Sequence, residues 1–256
     1  MKTKCFHIIG LLLTLSLSVG VMTGCSSIPK QQDDIIPAQR TLSDNDDITY
    51  SMRIYDPWEG FNRGAYKFNA KFDQYVFLPA VQGYEFITPE IVQTGISNLF
   101  SNLGELTNLT NSILQLKAKS SMHALSRFLI NSTVGIAGLW DHASTWGIPE
   151  HQEDFGQTLG HYGVGDGPYL VLPILGPMNV RDGFGLLVDS VTYGAVYWNV
   201  FDFLDSNKVA AGAFVVTGAI DTRRQINFRY NQSGSPFEYD LIRYLYTQKR
   251  KLEIAK

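Results

Sequence analysis

Sulfur and charge are what this sequence has little of. Its 256 residues hold two cysteines, Cys5 and Cys25, both near the N-terminus, so the long remainder can form no disulfide and supply no thiolate. Charged residues make up 18% of the chain, against about 25% in ordinary soluble domains. With 21 Lys and Arg against 24 Asp and Glu there is no basic excess, and nucleic acid is excluded as a partner. Catalytic patterns are missing too. His123, His142, His151 and His161 include no HExxH and no i, i+4 pair, so no metal site is expected. There is no G-x-S-x-G elbow. Gly163-Val164-Gly165-Asp166-Gly167 lacks the spacing and the Lys-Ser/Thr pair of a phosphate loop. No catalytic residue, cofactor or bond-breaking step is expected.

What the chain does have begins with a leader. Lys2 and Lys4 precede an apolar run, Ile8 to Met22, which ends in Met22-Thr23-Gly24-Cys25. The run is too short and wrongly flanked for a membrane span and reads as a signal peptide. Small residues before Cys25 resemble a bacterial lipobox, which makes Cys25 the expected lipid anchor and 1–24 the removed segment. A diacyl anchor supplies the two chains that stable attachment needs. Ser26 and Ser27 follow the cysteine in place of a retention-type Asp, so the expected location is the periplasmic leaflet of an outer membrane. Residues 25–50, rich in Ser, Gln, Asp and Pro, read as a flexible tether, and 51–256 as the folded domain.

That domain reads as mainly helical. Asp56 and Pro57 predict an N-cap and first helical residue, followed by Phe61, Ala65, Phe68 and Phe72 at helical spacing. A second helix is predicted with Thr88 as cap and Pro89 as opener, carrying Ile91, Val92, Ile96, Leu99 and Leu103 on one face and a break near Gly104. Its other face is a stripe of Thr94, Asn98, Ser101, Asn102, Glu105, Asn108, Ser112 and Gln115, in which Glu105 is the one charge. A stripe of this kind fits either the lining of a confined path or a helix wedged into a helical core with its amides satisfied. Gly167 to Phe201 holds only Arg181, Asp182 and Asp189 as charges, with Tyr193, Tyr197 and Trp198 beyond Asp189, which fits embedding in one leaflet better than a full span. A closing helix is predicted from about Pro236, with Tyr239, Ile242, Leu245 and Tyr246 on one face and a basic end at Lys249, Arg250 and Lys251. No convincing alternating strands are present. Gly160, Gly163, Gly165 and Gly167 permit positive φ and close backbone approach, as a hinge, a tight hairpin or a static turn.

Three segments carry a family resemblance: Asp56-Pro57-Trp58-Glu59-Gly60-Phe61-Asn62-Arg63; Arg127-Phe128-Leu129-Ile130-Asn131-Ser132-Thr133-Val134-Gly135; and Phe155-Gly156-Gln157-Thr158-Leu159-Gly160-His161-Tyr162-Gly163-Val164-Gly165 through Pro168-Tyr169, Leu172-Pro173 and Arg181-Asp182. From Asp56 to Arg250 the chain resembles the MlaA (VacJ) family of outer-membrane lipoproteins. The resemblance implies a ring-like, mostly helical protein embedded in one membrane leaflet, bound to a trimeric porin. It also implies withdrawal of misplaced phospholipid from the outer leaflet and its transfer to a soluble periplasmic carrier. It places Gly163 and Gly165 in a hairpin that controls lipid access. The chain departs from the family at Ser235-Pro236-Phe237 and in its short basic end. Two other readings compete: a structural porin-associated envelope lipoprotein without transport, and an envelope-modifying enzyme.

Overall fold

Many polar side chains of the described residues face inward. The computed structural model describes residues 54–201 and 208–256; the predicted leader and tether, with Cys25, lie outside them. Helix α1 (Glu59–Phe72) continues through a π-helical turn (Asp73–Phe77) into α2 (Leu78–Ile87). Helix α3 (Glu90–Leu114) follows, then α4 (Ala118–Thr133), which packs along it, and the short α5 (His142–Thr145) and α6 (Phe155–His161). Two strands, β1 (Tyr169–Leu172) and β2 (Gly176–Asn179), lead into α7 (Val180–Phe201), α8 (Lys208–Gln225) and α9 (Glu238–Ile254). The fold is mainly α.

Among the described residues, nine apolar side chains are buried against twenty-three polar or charged ones, the reverse of a soluble core. On α1 the periodic apolar positions Phe61 and Phe68 are 57% and 47% exposed, while Asn62, Tyr66 and Asn69 are buried. On α3 Ile91 is 73% exposed, and Asn102, Glu105, Asn111 and Ser112 are inside. Helical spacing thus located the stripes, and the polar face of α3 is enclosed, as its scarcity of charge suggested, while its apolar face turns outward. A small aromatic core of Tyr66, Tyr169 and Tyr239, meeting edge to face with Val171 beside them, ties α1, β1 and α9 together. None of the described helices is long and apolar enough to cross a membrane.

The predicted caps are also corrected. Helix α1 starts after Trp58 without a side-chain cap. Asp56 instead accepts from Asn62 (2.7 Å), Arg243 (2.9 Å) and the Tyr239 hydroxyl. Three converging donors outweigh a cap bond of about 1 kcal/mol. Thr88 gives no cap to α3, whose N-cap is Pro89, and the helix runs unbroken past Gly104.

The strands are a finding that the sequence did not predict. Tyr169 pairs with Asn179 and Leu172 with Gly176 in an antiparallel hairpin. Each strand has four residues, too few to show alternation, and β2 contains Gly176 and Pro177. In the closing helix, Tyr239 is buried while Leu245 is 50% exposed, and Arg250 of the basic end turns inward.

Candidate functional site

Two cavities meet inside the helical shell. One, of about 600 Å³, is polar, bounded by α3, the 150–154 segment, α6, α7, α8 and α9. The other, of about 630 Å³, is apolar and lies between α3, α7 and α8 around Leu186, Phe214 and Val215. They share Phe100, Thr107, Leu186, Asp189 and Thr222 in their linings, so a polar space and an apolar space adjoin across these side chains.

Local sequence positions the polar walls. Asp154 caps α6 by accepting from Gln157 N–H at 2.8 Å, which orients Gln157 against the chamber. The Gln157 amide nitrogen donates to Asp154 (3.1 Å) and to the Gln152 carbonyl (3.4 Å), and its Oε1, on a side chain 3% exposed, has no partner. Arg250 on α9 donates to Asp154 (2.7 and 2.8 Å), Asp182 (2.8 and 3.0 Å) and Glu253 (2.8 Å). Burial works to lower the arginine's pKa, and these carboxylates raise it overall. The Asp154 carboxyl in turn is held below the usual range by Arg250 and the helix cap, in spite of its burial. Asp189 differs. It accepts from Asn111 (2.9 Å) and Phe155 N–H (2.8 Å), and burial pushes its pKa up.

The predicted lining residues separate into three groups. Ser101 and Asn108 face the polar chamber; Ser101 donates to Glu150 at 3.3 Å, and Asn108 accepts from Glu153 N–H at 3.0 Å. Thr94 and Asn98 face a separate outer groove beside Ile91 and Trp140, where Asn98 donates to the Leu139 carbonyl at 3.0 Å. Asn102 and Glu105 face α4, with Asn102 donating to Ser132 (2.9 Å) and Glu105 paired to Arg127. Sequence reasoning missed Gln157, Asp182 and Arg250 as chamber residues. The Asp154-x-x-Gln157 capping pattern was the available signal for the first.

The four glycines play different parts. Gly160 lies in α6, where a Cβ would stand 2.6 Å from Ile254 Cδ1, so it lets α9 pack close. Gly163 (φ +83°) and Gly167 (φ +68°) take left-handed turns, whereas Gly165 does not and has open space around it. The 162–168 loop is held by Arg181, which donates to Asp166 (2.6 Å) and to the Val164 carbonyl (3.3 Å). The hairpin proper lies downstream, at 169–179. His123 and His151, which form no local ligand pair in the sequence, stack with centroids 5.2 Å apart; among the described residues no group of three or more possible ligands could hold a metal ion.

The profile of the MlaA lipoprotein family matches residues 54–253. The chain belongs to the MlaA lipoprotein family. It is 34% identical, over 76% of each chain, to the intermembrane phospholipid transport system lipoprotein MlaA of Escherichia coli (strain K12). It is 42% identical to an uncharacterized protein of Rickettsia prowazekii (strain Madrid E) over 156 residues, 58% of this chain and 61% of that protein's length. A solved structure described as the structural basis for maintenance of bacterial outer membrane lipid asymmetry superposes with a TM-score of 0.59 at 29% identity, covering 78% of this chain and all of that one. The MlaA fold thus accounts for the domain over nearly its whole described length.

Proposed function

We propose that this MlaA-family chain is a lipid-anchored protein of the outer membrane that draws mislocalised phospholipid from the outer leaflet and passes it to a soluble periplasmic carrier. It does so beside a trimeric porin and breaks no bond. The observation that carries this reading is the adjoining pair of cavities, one polar and one apolar. A phospholipid has a polar head and two apolar chains, and a polar space beside an apolar one accommodates both. The exposed apolar side chains on α3 and α7, including Ile91, Leu187 and Val191, suit a shell set in one leaflet.

The energetics call for such a conduit. Bringing two chains of about fifteen CH₂ groups each into water costs roughly 24 kcal/mol at about 0.8 kcal/mol per group. That corresponds to about 10⁻⁵ per second, on the order of a day. Moving the head group through hydrocarbon is penalised as well. In this reading the loop that carries Gly163 and Gly165 controls access to the space.

The test is phospholipid exposed on the surface of cells lacking the gene, read by an outer-leaflet acylation reporter, with and without a plasmid copy. A rise that the plasmid reverses is expected. No rise would remove the transport reading and leave a structural porin-associated lipoprotein.

A further inference from the structure

The charge of the polar chamber is unbalanced. Its lining holds six carboxylates, Glu150, Glu153, Asp154, Asp182, Asp189 and Glu253, against two cations, Lys249 and Arg250. Charges reaching in from outside the lining do not correct this. Lys117 pairs with Glu153 (3.0 Å), Arg181 with Asp182 (2.9 Å), and Arg127 stands 3.9 Å from Glu150. Two of these are shared with acids of their own, since Arg181 also holds Asp166 at 2.6 Å and Arg127 holds Glu105 and Asp141. The acid excess therefore persists in the next layer.

A second feature is independent of the carboxylates. Gln157 lines the same chamber, and its amide oxygen is buried and without a donor. A buried acceptor left unpaired costs about 1–3 kcal/mol, and an N–H group entering the chamber relieves it. An acid-lined, low-dielectric cleft focuses a negative potential that attracts cations and repels anions.

Resting on the reading of this space as a lipid path, we infer that the chamber selects phospholipids whose zwitterionic head group ends in a primary ammonium over those whose head group is net anionic. The ammonium meets the carboxylates that neither Arg250 nor Lys117 pairs with, Glu150 and Asp189, and offers N–H donors to Gln157. A head group without an ammonium leaves its phosphate charge uncompensated beside these carboxylates.

The experiment uses the purified, acylated full chain in detergent micelles containing equal amounts of phosphatidylethanolamine and phosphatidylglycerol with identical acyl chains. Retained lipid is counted by mass spectrometry. Retention of the ethanolamine lipid roughly tenfold over the glycerol lipid is expected, falling toward parity in the Glu150→Gln, Asp189→Asn double variant. Equal retention by the native chain, or an undiminished preference in a folded double variant, overturns the selection while leaving the lipid path standing. Retention of neither lipid overturns both. The native competition requires no substitution, so a variant that fails to fold leaves the test intact.

Discussion

Asn62 and Asn69 stand two turns apart on α1 and grip the same strand. Asn62 donates to the Tyr169 carbonyl (3.1 Å) and accepts from Val171 N–H (2.8 Å); Asn69 donates to the Leu172 carbonyl (3.0 Å) and accepts from Ile174 N–H (2.7 Å). Seven helical residues rise about 10.5 Å and three extended residues about 10 Å, so the two amides reach the same segment three residues apart. Asn62 acts as a neighbouring strand for the free edge of β1, and Asn69 holds its end and the turn that follows. Asn69 also fixes a tight turn, in which Leu175 N–H donates to the Pro173 carbonyl at 2.8 Å and Ile174 is held at φ +68°, a region costly for a β-branched side chain.

Asn69→Leu should therefore lose two bonds to backbone groups and release the turn. A destabilisation of about 2–4 kcal/mol is expected, since each orphaned group costs about 1–3 kcal/mol. Thermal unfolding in detergent measures it. A Tm equal to that of the native chain would show the hairpin to be self-supporting.

The Glu105–Arg127 pair yields a second prediction. Both side chains are within 2% of full burial, and burial raises the Glu105 carboxyl even though Arg127 and Asn108 act to lower it. Arg127→Met strands the buried Glu105 charge and should cost about 3–5 kcal/mol, whereas Glu105→Gln leaves Arg127 paired with Asp141 and should cost less. The double variant should recover part of this loss. A double-mutant cycle of denaturant midpoints checks the coupling, and additive losses would deny it.

Part of the acid sensitivity should arise at Asp141. Burial raises its carboxyl, but the Ser144 hydroxyl and N–H, Asn131 and Arg127 outweigh that and bring it down to about 2 from 3.8. A depressed carboxyl stabilises the fold above its unfolded value and loses that contribution as pH falls toward the folded one. About 2 kcal/mol should disappear between roughly pH 5 and pH 2. Asp141→Asn should start lower in stability and show a flatter acid limb in a pH series of unfolding curves. An unchanged limb would place the acid response elsewhere.

These same residues show what the sequence could and could not disclose. The 3.6-residue period located α1, α3 and α9, because each carries two faces of contrasting chemistry. Which face points inward is decided by the surroundings, and Phe61 and Asn62 look the same in either case to a rule that takes water to be outside. Partners more than a hundred residues away, such as Asn62 with Tyr169 or Asp73 with Arg223, leave no local trace. For this reason Asp56 reads as a cap until Arg243 and Tyr239 are brought beside it. The glycine stretch announced an unusual backbone, but it could not separate Gly160, required for helix packing, from Gly163, required for a turn.

Gly104 tests the path without the ambiguity of a damaged fold. It lies inside α3 and lines the polar chamber, and a Cβ added there meets nothing within 4 Å. A glycine inside a helix costs about 0.5–1 kcal/mol relative to alanine, so Gly104→Leu should raise stability slightly while its side chain fills part of the chamber. The expected result is a Tm equal to or above that of the native chain, together with surface phospholipid rising to the level of cells lacking the gene. Gly104→Ala should show the same stabilisation with much less obstruction, and so separates volume from helix propensity. Normal lipid clearance in a stable Gly104→Leu protein would mean that lipid does not pass this point of the chamber. Loss of clearance with gain of stability cannot arise from misfolding, so the two readings together assign the chamber its role.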